Sequence, residues 1–142
     1  MRKLEGFQRG INLGGWLSQG PLDKHHLDTF IVEDDIKKIA GWGADHVRLP
    51  LDYENVETEE GGDIEEGYRH IEDCISWCRK YNLNMVLDLH KTPGYIFDDQ
   101  DYSKDFFHNE ELQERFLNLW KKIISRLAKD ADIVMFELLN EV

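Results

Sequence analysis

Four short apolar segments with the character of β-strands alternate along this chain with three segments of helical periodicity. The strand-like segments are 10–15, 45–49, 84–90 and 133–141, and the helix-like segments are 33–42, 67–81 and 110–129. Strands that are separated by a helix, at intervals of roughly 35 to 50 residues, are typical of right-handed βαβ units. The pattern therefore predicts an α/β fold with four parallel strands and three helices.

The helical segments carry start and stop signals. Three acidic residues open the segment 33–42 and Gly43 follows its end, as is typical of helices, although Val32 is a poor N-cap. Asn109 is a good N-cap for the segment 110–129, in which apolar residues recur at helical spacing from Leu112 to Leu127. These signals make the first and third helices well defined.

Polar side chains recur at alternate positions of the later strands. They are His46, Arg48, Asp88, His90, Glu137 and Glu141. Because successive side chains of a strand point to opposite faces, these residues share one face, and the apolar opposite face, which includes Phe136 and Leu138, receives the helices. A sheet with a polar face and all helices on the other side fits a half-barrel, one half of a (β/α) TIM barrel, better than a doubly wound sheet. A flavodoxin-like open sheet is the alternative.

The charge balance limits the partners that the chain can bind. It contains 29 acidic and 17 basic residues, which gives a formal net charge of −12 at pH 7. Such a charge repels phosphate backbones and anionic headgroups, so we expect neither nucleic acid nor membrane partners. No window approaches the ~18 apolar residues of a membrane span, and the start of the chain lacks the apolar core of an export signal.

Cys74 and Cys78 lie one helical turn apart on the apolar face of the second helix. We interpret them as buried free thiols, because free cysteine packs as a small hydrophobe and nothing nearby completes a metal site. Together with the missing export signal, they lead us to expect a cytoplasmic location. The length of 142 residues is that of one domain.

Several kinds of chemistry find no support in the sequence. His25 and His26 are adjacent in a predicted loop, and the six histidines show no HExxH spacing, so a metal site is not expected. The glycines at 10, 14 and 15 lack the GxGxxG order, and there is no GxSxG motif. We therefore expect no cofactor and no metal, and carboxylate chemistry is what remains.

The polar residues at the strand ends each have two interpretations. Asp88 and Glu137 lie deep in their strands and could be structural hydrogen-bonding groups or could orient a catalytic neighbour. Arg48 could be an ion-pair partner, and His90 could be a core histidine. Glu141 could be a surface acid, but it follows Asn140 at the end of an apolar run, where α/β folds place their chemistry.

Four motifs, taken together, resemble the first four strands of glycoside hydrolase family 5, the cellulase and β-glucanase barrels. The motifs occupy residues 9–17, 46–50, 87–90 and 136–141, in the order and spacing of that family. The resemblance implies a (β/α)₈ barrel that acts as a retaining endo-β-glucanase or cellulase on a β-glucan or oligosaccharide substrate. It implies that Glu141 is the general acid/base, that Arg48 steadies the nucleophile, that His90 borders the sugar subsite and that Asn140 binds the sugar 2-hydroxyl.

Aromatic side chains near the expected mouth of the barrel could stack on sugar faces. We assign Trp16 and Tyr95 to substrate binding, with Tyr53 and Phe97 as further candidates, because aromatic rings pack well on apolar sugar surfaces. For Trp16 the competing interpretation is packing in the core.

The sequence also departs from the family pattern. Val142 follows Glu141 where many members have proline, and Lys91 follows His90 where a second histidine or a small residue is common. Strands five to eight are absent from residues 1–142, and with them the nucleophilic glutamate. We therefore expect residues 1–142 to be the N-terminal half of a barrel, to be inactive alone, and to form a homodimer or to pair with a complementary C-terminal half. The alternative is a non-catalytic half-barrel, truncated or engineered, that associates and at most binds glucans.

Overall fold

A computed structural model describes residues 4–99 and 105–142 of the chain. Four parallel strands form one sheet in the order β1-β2-β3-β4, so each strand pairs with the next strand along the sequence. Their bounds are Gly10–Asn12 for β1, His46–Asp52 for β2, Asn84–Lys91 for β3 and Val134–Glu137 for β4. This sequential parallel order confirms the predicted half-barrel.

The described residues contain four α-helices, one more than predicted. Their bounds are Lys24–Thr29 for α1, Glu33–Gly41 for α2, Glu65–Lys80 for α3 and Glu110–Leu127 for α4. The helix α1 escaped prediction because its six residues, Lys-His-His-Leu-Asp-Thr, are too few to show helical periodicity. Short 3₁₀ turns occupy Tyr53–Asn55, Phe106–His108 and Ala128–Asp130.

The helix ends show how local sequence fixes the boundaries. Asn109 caps α4 as predicted, because its Oδ1 accepts hydrogen bonds from the backbone N–H groups of Glu111 and Leu112 at 3.0 and 3.3 Å. Val32 offers no side-chain cap to α2, but the Asp35 carboxylate accepts from the Val32 N–H at 3.2 Å. The acid three residues into the helix thus partly replaces the missing cap.

The helices pack on one face of the sheet, as the alternation of residues predicts. The apolar residues of β2 and β3 on that face are fully buried, and α2, α3 and α4 turn their buried stripes toward them. The core strand residues are Val47, Leu49, Leu51, Met85, Leu87 and Leu89. Cys74 and Cys78 lie in the same core as free thiols, which confirms their prediction. The polar residues are therefore left on the opposite face, where the interior of a barrel would be.

The fourth strand is shorter than predicted. It ends at Glu137 rather than at Glu141, and the side chain of Leu138 is 59% exposed instead of lying against the helices. Beyond Glu137 the chain bends at Leu139 and Asn140, where the Asn140 N–H still donates to the Leu89 carbonyl at 3.3 Å, and Glu141 takes a positive φ of 48°. The predicted placement of Leu138 on the apolar face was therefore wrong.

None of the helices in the two described stretches combines the length and the apolar character that crossing a bilayer requires.

The close approach of α3 to the 3₁₀ turn Tyr53–Asn55, which follows β2, gives a stability prediction. A Cβ at Gly67, in the first turn of α3, would lie 1.8 Å from the backbone oxygen of Asn55. We expect Gly67→Ala to lower the free energy of unfolding by about 2 kcal/mol or more, because backbone must move to relieve the clash. Urea unfolding followed by circular dichroism measures the change.

Gly41 provides the matched control for this prediction. It lies in the last turn of α2, and a Cβ there would meet nothing within 4 Å. Gly41→Ala should leave the free energy of unfolding unchanged or raise it by about 0.5 kcal/mol, since alanine favours helix more than glycine does. Equal losses of stability in the two variants would contradict the proposed packing of α3.

Candidate active site

The guanidinium of Arg48 occupies the centre of the polar face. Arg48 lies in the middle of β2, level with Val86 of β3, which is level with Met135 of β4. Glu137 lies two residues beyond Met135 and therefore points to the same face. Arg48 Nε donates to Glu137 Oε2 at 2.8 Å and Nη2 donates to Oε1 at 2.9 Å, which forms a two-pronged ion pair across β3.

This ion pair sets the charge state of both partners. Hydrogen bonds from Arg48 lower the pKa of Glu137, and hydrogen bonds to Glu137 raise the pKa of Arg48. Glu137 therefore stays a carboxylate at neutral pH. A permanently charged carboxylate is a good anchor for Arg48 and a poor proton donor.

Asp88 joins the same cluster from β3. Its side chain is fully buried, and its Oδ2 lies 2.8 Å from Arg48 Nη2 and 2.7 Å from His90 Nδ1. The hydrogen bond to Asp88 raises the pKa of His90, although partial burial of the ring opposes the shift. Asp88 thus holds Arg48 and fixes which ring nitrogen of His90 faces the protein, leaving Nε2 directed away from the carboxylate.

Asn140 is another hydrogen-bond partner of Arg48. Arg48 Nη2 donates to Asn140 Oδ1 at 3.0 Å, and the Asn140 side chain is almost fully buried. Because the oxygen accepts from Arg48, the amide NH₂ of Asn140 must face the other way. The arginine therefore sets the orientation of this amide as well as that of two carboxylates.

Glu141 is held by its backbone rather than by the cluster. The Tyr95 hydroxyl donates to the Glu141 carbonyl at 2.7 Å. Burial, and secondarily the charge of Glu141, raise the pKa of Tyr95, so that the phenol stays protonated and keeps donating. The positive φ of Glu141 turns its side chain out of the strand direction, and the residue is exposed.

A pocket of about 240 Å³ lies beside these residues at the carboxyl ends of β3 and β4. Its walls bring together three predicted site residues, His90, Asn140 and Glu141. The other lining residues are Gln19, Ile96, Phe97 and Asp98. The carboxyl ends of parallel strands are where α/β folds bind their ligands, and this pocket occupies that position.

The aromatic residues are placed differently from the expectation. Trp16 is 1% exposed, donates its indole N–H to the Leu27 carbonyl at 2.8 Å and stacks on Trp77. Its assignment to sugar contact is therefore corrected to core packing, because the ring has no surface to offer a ligand. Tyr95 is also buried and touches the site through its hydroxyl alone, whereas Phe97 is 46% exposed and lines the pocket.

Sequence reasoning missed three residues that border the pocket, Gln19, Ile96 and Asp98. Gln19 has a positive φ of 56°, its N–H donates to Asp52 Oδ2 at 3.0 Å, and its side chain donates to Asp98 Oδ2 at 3.3 Å. These contacts join the segment that follows β1 to the last residue of β2 and to the segment that follows β3. Gln19 lies in no motif and Asp98 is 79 positions away, so no local signal could have paired them.

A larger, more open groove lies elsewhere, on the outer side between α4 and the connection that precedes α3. It measures about 690 Å³ and is lined by several acidic residues. Glu57, the buried acid of this groove, is ion-paired to Arg115 at 2.9 Å and to Lys122 at 3.3 Å. The charge of Glu57, the buried acid, is thus matched within the protein, so the smaller pocket is the better candidate for chemistry.

Comparison with known proteins gives one consistent result. The family model described as Cellulase (glycosyl hydrolase family 5) matches residues 10–142. Cellodextrinase A of Ruminococcus flavefaciens is 51% identical over 142 residues, which are all of this chain and 42% of that protein. Endoglucanase C of Acetivibrio thermocellus is 47% identical over 139 residues, 96% of this chain and 40% of that protein. The chain thus spans about two fifths of the length of these curated relatives.

Solved structures agree with this result. Thermotoga maritima Cel5A in complex with cellobiose superimposes with a TM-score of 0.72 at 26% identity. The match covers 95% of this chain and 41% of that chain. A match of this extent is what a half-barrel gives against a complete barrel.

The contact between His90 and Asp88 gives a titration prediction. We expect the pKa of His90 to lie above the ordinary value of about 6.5, and Asp88→Asn to lower it. Because the folded pKa exceeds the unfolded one, the contact stabilises the fold fully below the unfolded pKa, and this contribution is lost as the pH rises through the folded pKa. Side-chain NMR of the histidines against pH measures the shift.

His70 serves as the internal reference in the same spectra. Burial lowers the pKa of His70, so its ring should titrate below the ordinary histidine value. A His90 that titrates no higher than His70, or that is unaffected by Asp88→Asn, would show that the Asp88 contact does not exist in solution.

Proposed function

The chain belongs to glycosyl hydrolase family 5, the cellulase family, and we propose that it is the N-terminal part of a retaining β-glycoside hydrolase that acts on β-glucans or their oligosaccharides. One observation carries the proposal. His90, Asn140 and Glu141 line a single pocket, and Arg48 holds Asn140 by a hydrogen bond and Asp88, the partner of His90, by an ion pair. Names of relatives, cellodextrinase and endoglucanase, support this class of substrate.

Glu141 is the general acid/base in this proposal. A retaining glycosidase needs one carboxylic acid that protonates the leaving oxygen and a second carboxylate, about 5 Å away, that attacks the anomeric carbon. Glu137 is locked to Arg48 as an anion, whereas Glu141 lies on the pocket wall outside that ion pair. This difference supports Glu141, rather than Glu137, as the acid that exchanges a proton with a ligand.

Asn140 and His90 bind the sugar. Arg48 holds the Asn140 oxygen, so the amide NH₂ is left to donate to the 2-hydroxyl, a contact that strengthens as the ring becomes oxocarbenium-like. His90 bonds Asp88 through Nδ1 and presents Nε2 toward the pocket that it lines. Phe97 adds an exposed ring on the same wall.

The second carboxylate must come from outside these 142 residues. By family resemblance it belongs to a later strand, and Arg48 would steady it. In the described part of the chain the outer edges of β1 and β4 are unpaired, and unpaired edges are a liability that folded proteins cover. We propose a complementary C-terminal half-barrel as the partner that covers them and brings the nucleophile.

The apolar surface beside β4 supports this partner. Leu138, Leu117 and Ile124 are 59%, 55% and 42% exposed. Leu117 and Ile124 lie two turns apart on α4, so they form a second stripe besides the one that α4 buries against the sheet. A further strand and helix packed beyond β4 would bury this surface.

A second candidate function rests on the same open edges. In this alternative two copies of the chain associate, each β1 pairing with the other copy's β4, and the assembly at most binds glucans without hydrolysing them. Closed two-fold dimers are the commonest oligomers, which makes this arrangement a reasonable way to cover the edges.

The role of Glu141 is tested by Glu141→Gln in protein that also contains the complementary half. We expect hydrolysis of β-glucosides with poor leaving groups to fall by about 10²- to 10⁴-fold, because glutamine keeps the shape but cannot donate the proton. Steady-state hydrolysis of a cello-oligosaccharide measures the loss. Glu60→Gln, an exposed acid outside the pocket, is the control and should leave the rate unchanged. An undiminished rate in Glu141→Gln would contradict the assignment.

The open edges lead to a prediction about association. We expect the chain alone to associate at micromolar concentration and to release no reducing sugar from a soluble β-glucan. Light scattering should give a mass at least twice the 16.8 kDa of one chain. A strictly monomeric species with native-like spectra would contradict the predicted association. Hydrolysis by the isolated chain that Glu141→Gln does not affect would contradict its predicted lack of activity.

A further inference from the structure

A second cluster of polar side chains lies outside the pocket, where the short helix α1 meets the first turns of α3. It consists of Asp28 from α1 and of Glu66 and His70 from α3. One carboxylate oxygen of each acid and a ring nitrogen of the histidine all lie within 4.8 Å of one another. One imidazole nitrogen and two carboxylates are a donor set that divalent metals use in proteins.

His70 supplies a second, independent observation that points to a ligand. Its side chain is 7% exposed, and its Nε2 is buried without a hydrogen-bond partner among the described residues. The nearest carboxylate oxygen, Asp28 Oδ1, is 3.6 Å away, which is too far for a hydrogen bond. A buried ring nitrogen without a partner is destabilising, and the ligand atoms of the cluster put a carboxylate oxygen of Asp28 and one of Glu66 within 4.8 Å of the ring.

We propose that Asp28, Glu66 and His70 form a binding site for a divalent cation of the zinc type, with water completing the coordination. The nitrogen donor favours Zn²⁺ over Mg²⁺ and Ca²⁺, which prefer sites made only of oxygen atoms.

The ligand atoms can reach the required geometry by small movements. Tetrahedral zinc with ligands at 2.0–2.2 Å places its ligand atoms about 3.3 Å apart, so the cluster must contract by roughly an ångström. Asp28 and Glu66 have exposed side chains, 35% and 47%, that can rotate toward the fixed imidazole. The edge of the Trp16 ring, with its centroid 6.0 Å from that of His70, helps to hold the imidazole in place.

Two cations hold the carboxylates together when no metal is bound. Lys24 Nζ lies 2.5 Å from Glu66 Oε1 and 2.9 Å from Asp28 Oδ2, and Arg69 Nη2 lies 3.1 and 3.5 Å from the two acids. The Lys24 side chain is 67% exposed, so it can leave for water at little cost. Lys24 therefore competes with the metal, and removing it should strengthen metal binding.

Metal binding would tie α1 to α3 and so fix the connection between β1 and α2. That connection also contains Gln19, which borders the pocket at the carboxyl ends of the strands. Zn²⁺ binding at this cluster does not depend on the proposed hydrolase activity.

The test is calorimetric titration of the whole chain with ZnCl₂, with MgCl₂ in parallel. We expect one saturable Zn²⁺ site per chain, a higher melting temperature with Zn²⁺, and no response to Mg²⁺. Glu66→Gln should weaken binding by at least about tenfold because it removes a charged ligand. Lys24→Ala should strengthen binding. His70→Gln should abolish Zn²⁺ binding. If this variant of a buried residue fails to fold, the variant of the exposed Glu66 still tests the site.

His25→Gln is the matched control. His25 is an exposed histidine that lies outside the cluster on α1, the helix that also carries Asp28. It should leave Zn²⁺ binding unchanged. NMR of the ring nitrogens should show Zn²⁺ shifting Nε2 of His70 in particular. Absence of saturable binding, binding undiminished in Glu66→Gln, or a loss in His25→Gln as large as in Glu66→Gln would each overturn the proposal.

Discussion

The Arg48 guanidinium is the interaction on which the polar face of the sheet depends. It bonds Glu137 with two hydrogen bonds, contacts the buried Asp88 and orients Asn140, so one cation serves residues of β3, β4 and the turn that follows β4. A fully buried carboxylate such as Asp88 is strongly destabilising without a cation beside it. Loss of Arg48 would therefore leave two neighbouring carboxylates in repulsion and release the amide that the pocket uses.

Much of this arrangement follows from the sequence through one rule. Alternation in the strands assigned Arg48, Asp88, His90 and Glu137 to one face, and the parallel order places their strand ends at one edge. The partners within the cluster did not follow from it, because an arginine can reach any of several acids on its face. Alternation also failed where the strand stopped, since nothing local to Leu138 signals that the chain turns after Glu137.

Other features depended on contacts that are distant in sequence. Trp16 could have packed in the core or faced a sugar, and only its hydrogen bond to Leu27 and its stacking on Trp77 decide for the core. The six residues of α1 carry no helical period, yet Asp23 caps them by accepting from the His26 N–H. Local patterns therefore predicted the elements with long, regular periods. The short helix α1 and the position of the single residue Trp16 depend on tertiary packing, which local patterns do not show.

Glu137 and Glu141 show how position separates two identical side chains. They lie four residues apart, but β4 ends between them, so Glu137 stays on the sheet and pairs with Arg48 while Glu141 turns outward with a positive φ. The Tyr95 hydroxyl donates to the Glu141 carbonyl and so fixes the backbone of Glu141, while the side chain of Glu141 lines the pocket. Had β4 continued as an ideal strand, Glu141 would lie on the same face as Glu137 but about 13 Å further along the strand, beyond the reach of Arg48, so distance along the chain as well as the bend keeps Glu141 out of the ion pair.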